Sequence, residues 1–359
     1  MTAVVDAAPI DAGASACKLL YGPQEQAFRG PAAIVPTANL LQLVTNEAGR
    51  PRIQGVPITP PTVPAQALPK PMSFTGVRWP PCEVANKYVY CQAPGGIVTR
   101  SLLASGNETK EIAKSKNGTR IAAAPIGKEH AVVAWLESHQ TTEGVMLQAF
   151  AAIDDGAPFR LSDDGSGATQ LRLVARGEQA LAIYIDTRTA MVPLHARPIT
   201  AKGPGADEVI FVGGPPERGI DFAVAHATNG TFVLLPTAKE STEFGMAAIA
   251  VPDPPKHDVG AVWSMYPNGL DPSPIAATTH EGKGSTLARV LPRERAPGSP
   301  RIIELGRVDE KGAFTSLGGI ADGRHVTDIA MANDSFGTTW ILYGDSNATW
   351  LERRACPPP

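Results

Sequence analysis

An all-β, seven-bladed β-propeller of four-stranded antiparallel blades is the architecture this 359-residue sequence predicts. Three observations predict it. A layout of short apolar runs recurs seven times, Asn-Gly and Asp-Gly signals punctuate the runs, and side-chain size rises from the first run of each copy to the second. Glycine (35) and proline (34) supply about one residue in five, while only 19% of residues are charged. That composition excludes a coiled coil or helical bundle, which needs more Glu, Lys and Leu and fewer turn-formers. A chain 43% hydrophobic is not disordered. A net charge of −3 argues against a nucleic-acid partner, and no apolar run approaches the ~20 residues of a transmembrane helix.

The clearest copies read TRIAAAP–IGKEH–AVVAWLE, QLRLVAR–GEQ–ALAIYID, IDFAVAH–ATNG–TFVLLPT, SPIAATT–HEGKG–STLARVLP and TDIAMAN–DSFG–TTWILYG. Two looser ones precede them, AAIVP–TAN–LLQLVT and VRWPPC–EVAN–KYVYCQ. Second runs begin near Leu40, Tyr88, Ala131, Ala180, Thr231, Thr286 and Thr339, at intervals of 43 to 55 residues. Each run is rich in Val, Ile and aromatic residues, and turns such as Asn117-Gly118, Asn229-Gly230 and Asp155-Gly156 mark hairpins. Third runs begin at Val145, Val192, Phe244 and Pro300, and a shorter fourth follows in most copies, as at Pro158 and Glu208. Four antiparallel strands per ~50 residues make one propeller blade. First runs are Ala-rich (Ala122 to Ala124, Ala223, Ala225, Ala276, Ala277, Ala330, Ala332), as strands crowded around a central axis require. Trp135, Tyr184, Phe232 and Trp340 lie in second runs, where blades packed face to face need volume.

The last copy stops after its third run, TWLERRAC, and the segment CKLLYGP near the N-terminus can supply the missing outer strand. Closing the ring this way removes an exposed sheet edge. Spacing alone leaves three pairings open for the four cysteines, Cys17, Cys82, Cys91 and Cys356. Ring closure favours Cys17 with Cys356 on neighbouring strands of one blade, which leaves Cys82 with Cys91 across the first hairpin of blade two. None forms CxxC and no His lies at metal-ligand spacing from them, so no zinc site is expected. Residues 1–16 read as a flexible acidic, Ala- and Pro-containing tether, and residues 17–359 as a single propeller domain.

The N-terminal string MTAVVDAAPIDAGASA resembles the tether behind the lipid-anchored cysteine of bacterial lipoproteins, myxobacterial ones in particular. Val132 to Trp135, Leu147 to Phe150 and Asp155-Gly156 are similar to the blade pattern of exported propeller proteins of myxobacteria and their relatives. The resemblance spans about residues 17 to 356. It implies an exported protein, at the periplasm or outer-membrane surface, held by a lipid anchor removed ahead of Met1. It implies no activity, because propellers host enzymes, lectins and scaffolds alike.

Chemistry-bearing residues are sparse. Arg78, Arg120, Arg172, Arg218 and Arg324 fall near the starts of innermost runs, where ring symmetry would gather them at one channel mouth with Asp221 and Asp328. Guanidinium gives bidentate, permanently charged hydrogen bonds to anions. The simpler account is that these arginines solvate strand ends or pair with Asp221 and Asp328. Asn333 to Trp340 is similar to the Asp box of sialidases, but Asn333 stands in place of its Ser and Ser335 in place of its Asp, so the segment reads as an ordinary turn. His130, His226, His280 and His325 lack a recurring carboxylate companion, and no metal or cofactor is expected. His226 and His280 match Arg176 and Asn333, at a position where a polar residue satisfies a turn. Asn-x-Ser/Thr triplets begin at Asn107, Asn117, Asn229, Asn333 and Asn347. Gly55 to Lys70 is a proline-dense strip expected to run extended over the surface.

The resulting expectation is a monomeric, non-enzymatic scaffold at the bacterial cell envelope that recognises a protein or glycan through blade-end loops. The alternative is a propeller glycoside hydrolase or lyase acting on an anionic saccharide, with the arginines as grip and Asp221 or Asp328 as acid or base.

Overall fold

The computed structural model describes residues 15–357, apart from 27, 29–30, 61–81, 105–108, 115–119, 142–143, 164–166, 189–190, 214–220, 228–229, 241–242, 258, 266–273, 280–283, 293–300, 325 and 345–347. The tether expected over residues 1–16 falls almost wholly outside that set.

The described strands form seven antiparallel sheets in chain order. Blade one holds β2 (Ala33–Pro36), β3 (Leu40–Glu47) and β4 (Arg50–Pro57); blade two holds β5 (Glu83–Ala85), β6 (Tyr88–Ala93), β7 (Ile97–Leu102) and β8 (Lys110–Lys114). Blade three is β9 (Ile121–Ile126), β10 (His130–Thr141), β11 (Gly144–Ile153) and β12 (Phe159–Arg160). Blade four is β13 (Ala168–Arg176), β14 (Gln179–Asp186) and β15 (Val192–Thr200), with β16 (Gly203–Pro204) and β17 (Glu208–Gly213) both on β15. Blade five runs β18 (Ala223–Ala227), β19 (Gly230–Glu240), β20 (Glu243–Val251) and β21 (Ala261–Met265). Blade six runs β22 (Ile275–Thr279), β23 (Ser285–Pro292), β24 (Arg301–Val308) and β25 (Phe314–Arg324). Blade seven is β26 (Asp328–Asn333), β27 (Thr339–Gly344), β28 (Thr349–Ala355) and, as its outermost strand, β1 (Lys18–Gln26) from the other end of the chain.

Head and tail therefore share one sheet. Lys18 pairs with Ala355, Gln26 pairs with Thr349, and the Cys17–Cys356 disulfide joins the two strands just past that register. Cys82–Cys91 staples the β5–β6 hairpin. Both disulfides match the pairing that ring closure favours, and they belong to an oxidising, extracytoplasmic setting. Among the described residues no helix is long and apolar enough to cross a membrane.

The apolar packing follows from the blade geometry. Instead of one central core there are seven, each between two adjacent blades. Trp135 fills the interface of blades two and three, Tyr184 that of three and four, Phe232 that of five and six, and Trp340 that of seven and one. Ala122, Ala124, Ala223 and Ala225 are buried on the innermost strands. The expected size gradient is thus realised. The interface between blades one and two is thin, built on Val44, Val89 and the two half-cystines Cys82 and Cys91. The short-loop disulfide sits where apolar burial is scarcest.

Two details differ from the sequence reading. In blade two, Glu83–Ala85, expected as part of a turn, is the strand paired with β6, and the run VRWPPC apart from Cys82 lies outside the described residues. The proline-dense strip begins inside β4, with Val56 buried, and its residues from 61 onward lie outside the described set.

Candidate functional site at the channel mouth

Strands β2, β5, β9, β13, β18, β22 and β26 line the axis, and their N-terminal ends converge at one face. There they enclose a cavity of about 620 Å³. Of the residues assigned to this mouth from sequence, Arg120, Arg172, Asp221 and Asp328 line it. Arg78 and Arg218 lie outside the described residues. Arg324 ends β25, the outermost strand of blade six, opposite Arg301.

Three of the four, Arg120, Arg172 and Asp221, form a charged arc across blades three to five, with Asp328 apart from it. Arg172 Nη2 donates to Asp221 Oδ1 at 2.9 Å, and Arg120 Nη1 lies 3.6 Å from the same oxygen. The backbone N–H of Phe222 donates to it as well, at 3.0 Å. One carboxylate thus faces two guanidiniums. Arg120 also donates to the Gln170 amide oxygen. Gln170 has a φ of 52° and sits in a β-bulge of β13, a conformation that re-aims a side chain out of the pleat. Burial, and then the neighbouring Arg172 charge, push the Arg120 pKa down. On blade seven, Thr327 Oγ1 donates to Asp328 Oδ2 at 3.1 Å.

Glu83, at the start of β5, completes the arc and was missed in the sequence, where it reads as part of a turn. Among the described residues its carboxyl makes no hydrogen bond, and burial pushes its pKa up to about 7 against the pull of Arg172 and Arg120. A signal did exist. Cys82 and Cys91 can bridge a hairpin only if Glu83 stands opposite Tyr90, which is the register observed.

The polarity of the cavity is one-sided. Blades two to five contribute Glu83, Arg120, Arg172 and Asp221, whereas blades six and one contribute Pro274, Ile275, Pro31, Ala33 and Ile34. Asp328 of blade seven is the charge between those two apolar blades.

Bracing runs on both faces. On the mouth side, Asn46 Nδ2 donates to Gln92 O at 3.0 Å and Thr99 Oγ1 returns a bond to Gly49 O at 2.6 Å, tying blades one and two. The remaining clamps are on the opposite face. Asn86 Nδ2 reaches His130 O at 2.7 Å, from blade two to three. Arg176 bonds Thr231 Oγ1 and the carbonyls of Val251 and Pro252, from blade four to five. Asn333 Nδ2 reaches Thr279 O at 2.8 Å, from blade seven to six. The residues at the Arg176 and Asn333 position therefore clamp neighbouring blades, and Asn333 also serves its own turn, its Oδ1 accepting from Thr339 Oγ1 at 2.9 Å. His226, at the matching position, occupies β18, while His280 and His325 lie outside the described residues. His130 pairs with Asp154 at 2.6 Å, and that hydrogen bond raises its pKa. Among the described residues no three His, Cys, Asp or Glu side chains are grouped to hold a metal ion.

The segment similar to an Asp box forms a capped turn after all, through a different residue. Asp334 accepts from the N–H groups of Phe336 and Thr338, from Thr338 Oγ1 at 2.6 Å and from Trp340 Nε1 at 2.9 Å, and pairs with Arg353 Nη2 at 2.6 Å. Asp309 caps the β24–β25 turn in the same way, accepting from Lys311 and Ala313 N–H. Gly337 and Gly312, three residues on in each case, have φ of 71° and 86°, which only glycine adopts without strain.

No family model matches the chain, and no curated protein matches it. Among solved structures it is similar to the β-propeller domain of Cps50 (Swd1) from Myceliophteria thermophila. That likeness has 10% identity and a TM-score of 0.52, covering 91% of this chain and 98% of that one. The shared feature is the propeller fold. Trypanosoma rangeli sialidase aligns at 10% identity and a TM-score of 0.45, over 92% of this chain and 54% of the enzyme. The six-bladed Aleuria aurantia lectin aligns at 14% identity and a TM-score of 0.42, over 75% of this chain and 89% of the lectin.

Proposed function

We propose that this chain is a non-enzymatic binding propeller of the bacterial cell envelope, exported and lipid-anchored in its natural form, that recognises a protein or glycan at the channel-mouth face. The observation that carries the reading is the one-sided cavity of about 620 Å³, set in a ring whose blades are braced at both faces. A rigid ring holding a concave, partly charged mouth is a platform for recognition. Asp221, a carboxylate that the hydrolase alternative needs as acid or base, has its Oδ1 engaged by Arg172, Arg120 and the Phe222 N–H. The two disulfides support export, and palmitate labelling of the natural protein tests the anchor.

The direct test is binding of the intact protein to glycan and peptide arrays. Capture is expected and should be lost when the channel-mouth face is altered, but kept when the opposite face is altered. Glu83 favours the competing reading, because a carboxyl with a pKa of about 7 beside two guanidiniums has the properties of a general acid. Turnover of an anionic saccharide, abolished by Glu83→Gln in a folded protein, would replace the binding reading with a hydrolase or lyase.

A further inference from the structure

Going beyond the binding reading, we propose that the channel mouth takes a monocarboxylate borne on an apolar body, with Arg120 and Arg172 holding the carboxylate and Glu83 taking up a proton as it enters. The charge balance supports this. Among the described residues, two guanidiniums share the carboxylate of Asp221, so the arc they form retains one positive charge that Glu83 offsets only while ionised. Among the described residues Arg172 is engaged by Asp221 through Nη2, with Phe222 beneath its plane, and about a third of each guanidinium side chain stays exposed to the cavity. N–H donors therefore remain for a ligand. An entering carboxylate removes the attraction that keeps Glu83 ionised and adds repulsion of its own. Glu83 then protonates, and its O–H becomes a further donor.

Among the described residues, the charged groups near Glu83 come from the neighbouring inner strands. Arg120 precedes β9, Arg172 lies on β13, Asp221 precedes β18 and Asp328 begins β26. Tyr90 faces Glu83 across the hairpin, and β2 offers only Ala33, Ile34, Val35 and Pro36. Burial already holds the Glu83 carboxyl near 7, so the exchange of charge falls in the neutral range. The opposite side of the cavity is aliphatic, with Pro31, Ala33, Ile34, Pro274 and Ile275. It suits an alkyl group better than the hydroxyl-rich face of a uronate.

The test is calorimetric titration of the intact protein with hexanoate, and separately with glucuronate, between pH 6 and 9 in buffers of different ionisation enthalpy. Hexanoate should bind with proton uptake, and its affinity should fall by up to tenfold per pH unit above about pH 7. Glu83→Gln should keep the binding and abolish the slope, and Arg172→Gln should weaken it at least tenfold. Because Arg172→Gln also breaks a link between blades, proton uptake by the unaltered protein and the Glu83→Gln slope decide the matter if that variant fails to fold. Absence of hexanoate binding at pH 6, or binding with no proton uptake, overturns the proposal. So does glucuronate binding as tightly as hexanoate. Array capture without hexanoate binding sinks this inference and leaves the binding reading standing; hexanoate binding with silent arrays does the reverse.

Discussion

Arg172 on blade four and Asp221 at the start of blade five meet at 2.9 Å across the channel mouth, and the same Asp221 oxygen lies within ion-pair distance of Arg120 on blade three. Three blades are thus linked through one carboxylate, at the face where the cavity opens.

Replacing Asp221 with Asn should leave two guanidiniums facing one another without compensation. The side chains are a third exposed or less, so the loss is expected at about 1–2 kcal/mol, below the full cost of orphaning a buried charge. Added salt should recover part of it by screening the two arginines. Urea unfolding at low and high ionic strength checks both statements.

Glu83→Gln should stabilise the protein at alkaline pH. The native pKa of Glu83 lies above its unfolded value, so its contribution to stability is complete at low pH and is lost as pH rises through about 7. Glutamine imitates the protonated form throughout. The variant is expected to gain about 1–3 kcal/mol at pH 8, allowing for channel water, and nothing by pH 4. Melting curves across that range would expose an opposite trend.

The two disulfides should differ in weight. Cys17–Cys356 closes a loop with a sequence separation of 339 and Cys82–Cys91 one of 9. In the chain-entropy view the first restrains the unfolded chain by on the order of 5 kcal/mol and the second by about 2–3. Paired Cys→Ser variants compared by guanidinium unfolding should rank in that order, and equal midpoints would contradict it.

Asp334→Asn should be among the costly single changes in blade seven. Asp334 is buried and accepts bonds from four donors besides its pairing with Arg353. Stranding Arg353, itself buried and bonded to Thr59 O, should cost about 3–5 kcal/mol. Hydrogen exchange in β26 and β27 should accelerate before the rest of the ring does.

Local chemistry wrote most of the fold in plain view. Short apolar runs recurring about every fifty residues, turn dipeptides and the alanines of inner strands are properties of neighbours in the chain, so the blades, their order and the N-terminal seam were readable from residues such as Ala122, Trp135 and Cys17. The seam was legible because a missing last strand and a spare first one must cancel to remove an open edge. The channel mouth was legible only in part. Arg120, Arg172, Asp221 and Asp328 announce themselves by position at the head of an inner run. Glu83 and Asp334 did not, because a bridged hairpin in one case and a one-residue offset in the other moved them away from where the spacing points.

The amino-acid order alone therefore determined an all-β ring of seven repeats with its ends in one blade, since hairpin turns and apolar runs depend on residues a few positions apart. Which charges meet was decided only by the closed ring. Arg120, Gln170 and Asp221 are some fifty residues apart along the chain, and Glu83 comes within the field of Arg172 through the curvature of successive blades about the axis. Strand spacing sets that curvature to within a residue, whereas the approach of a guanidinium to a carboxylate depends on side-chain direction to within an ångström.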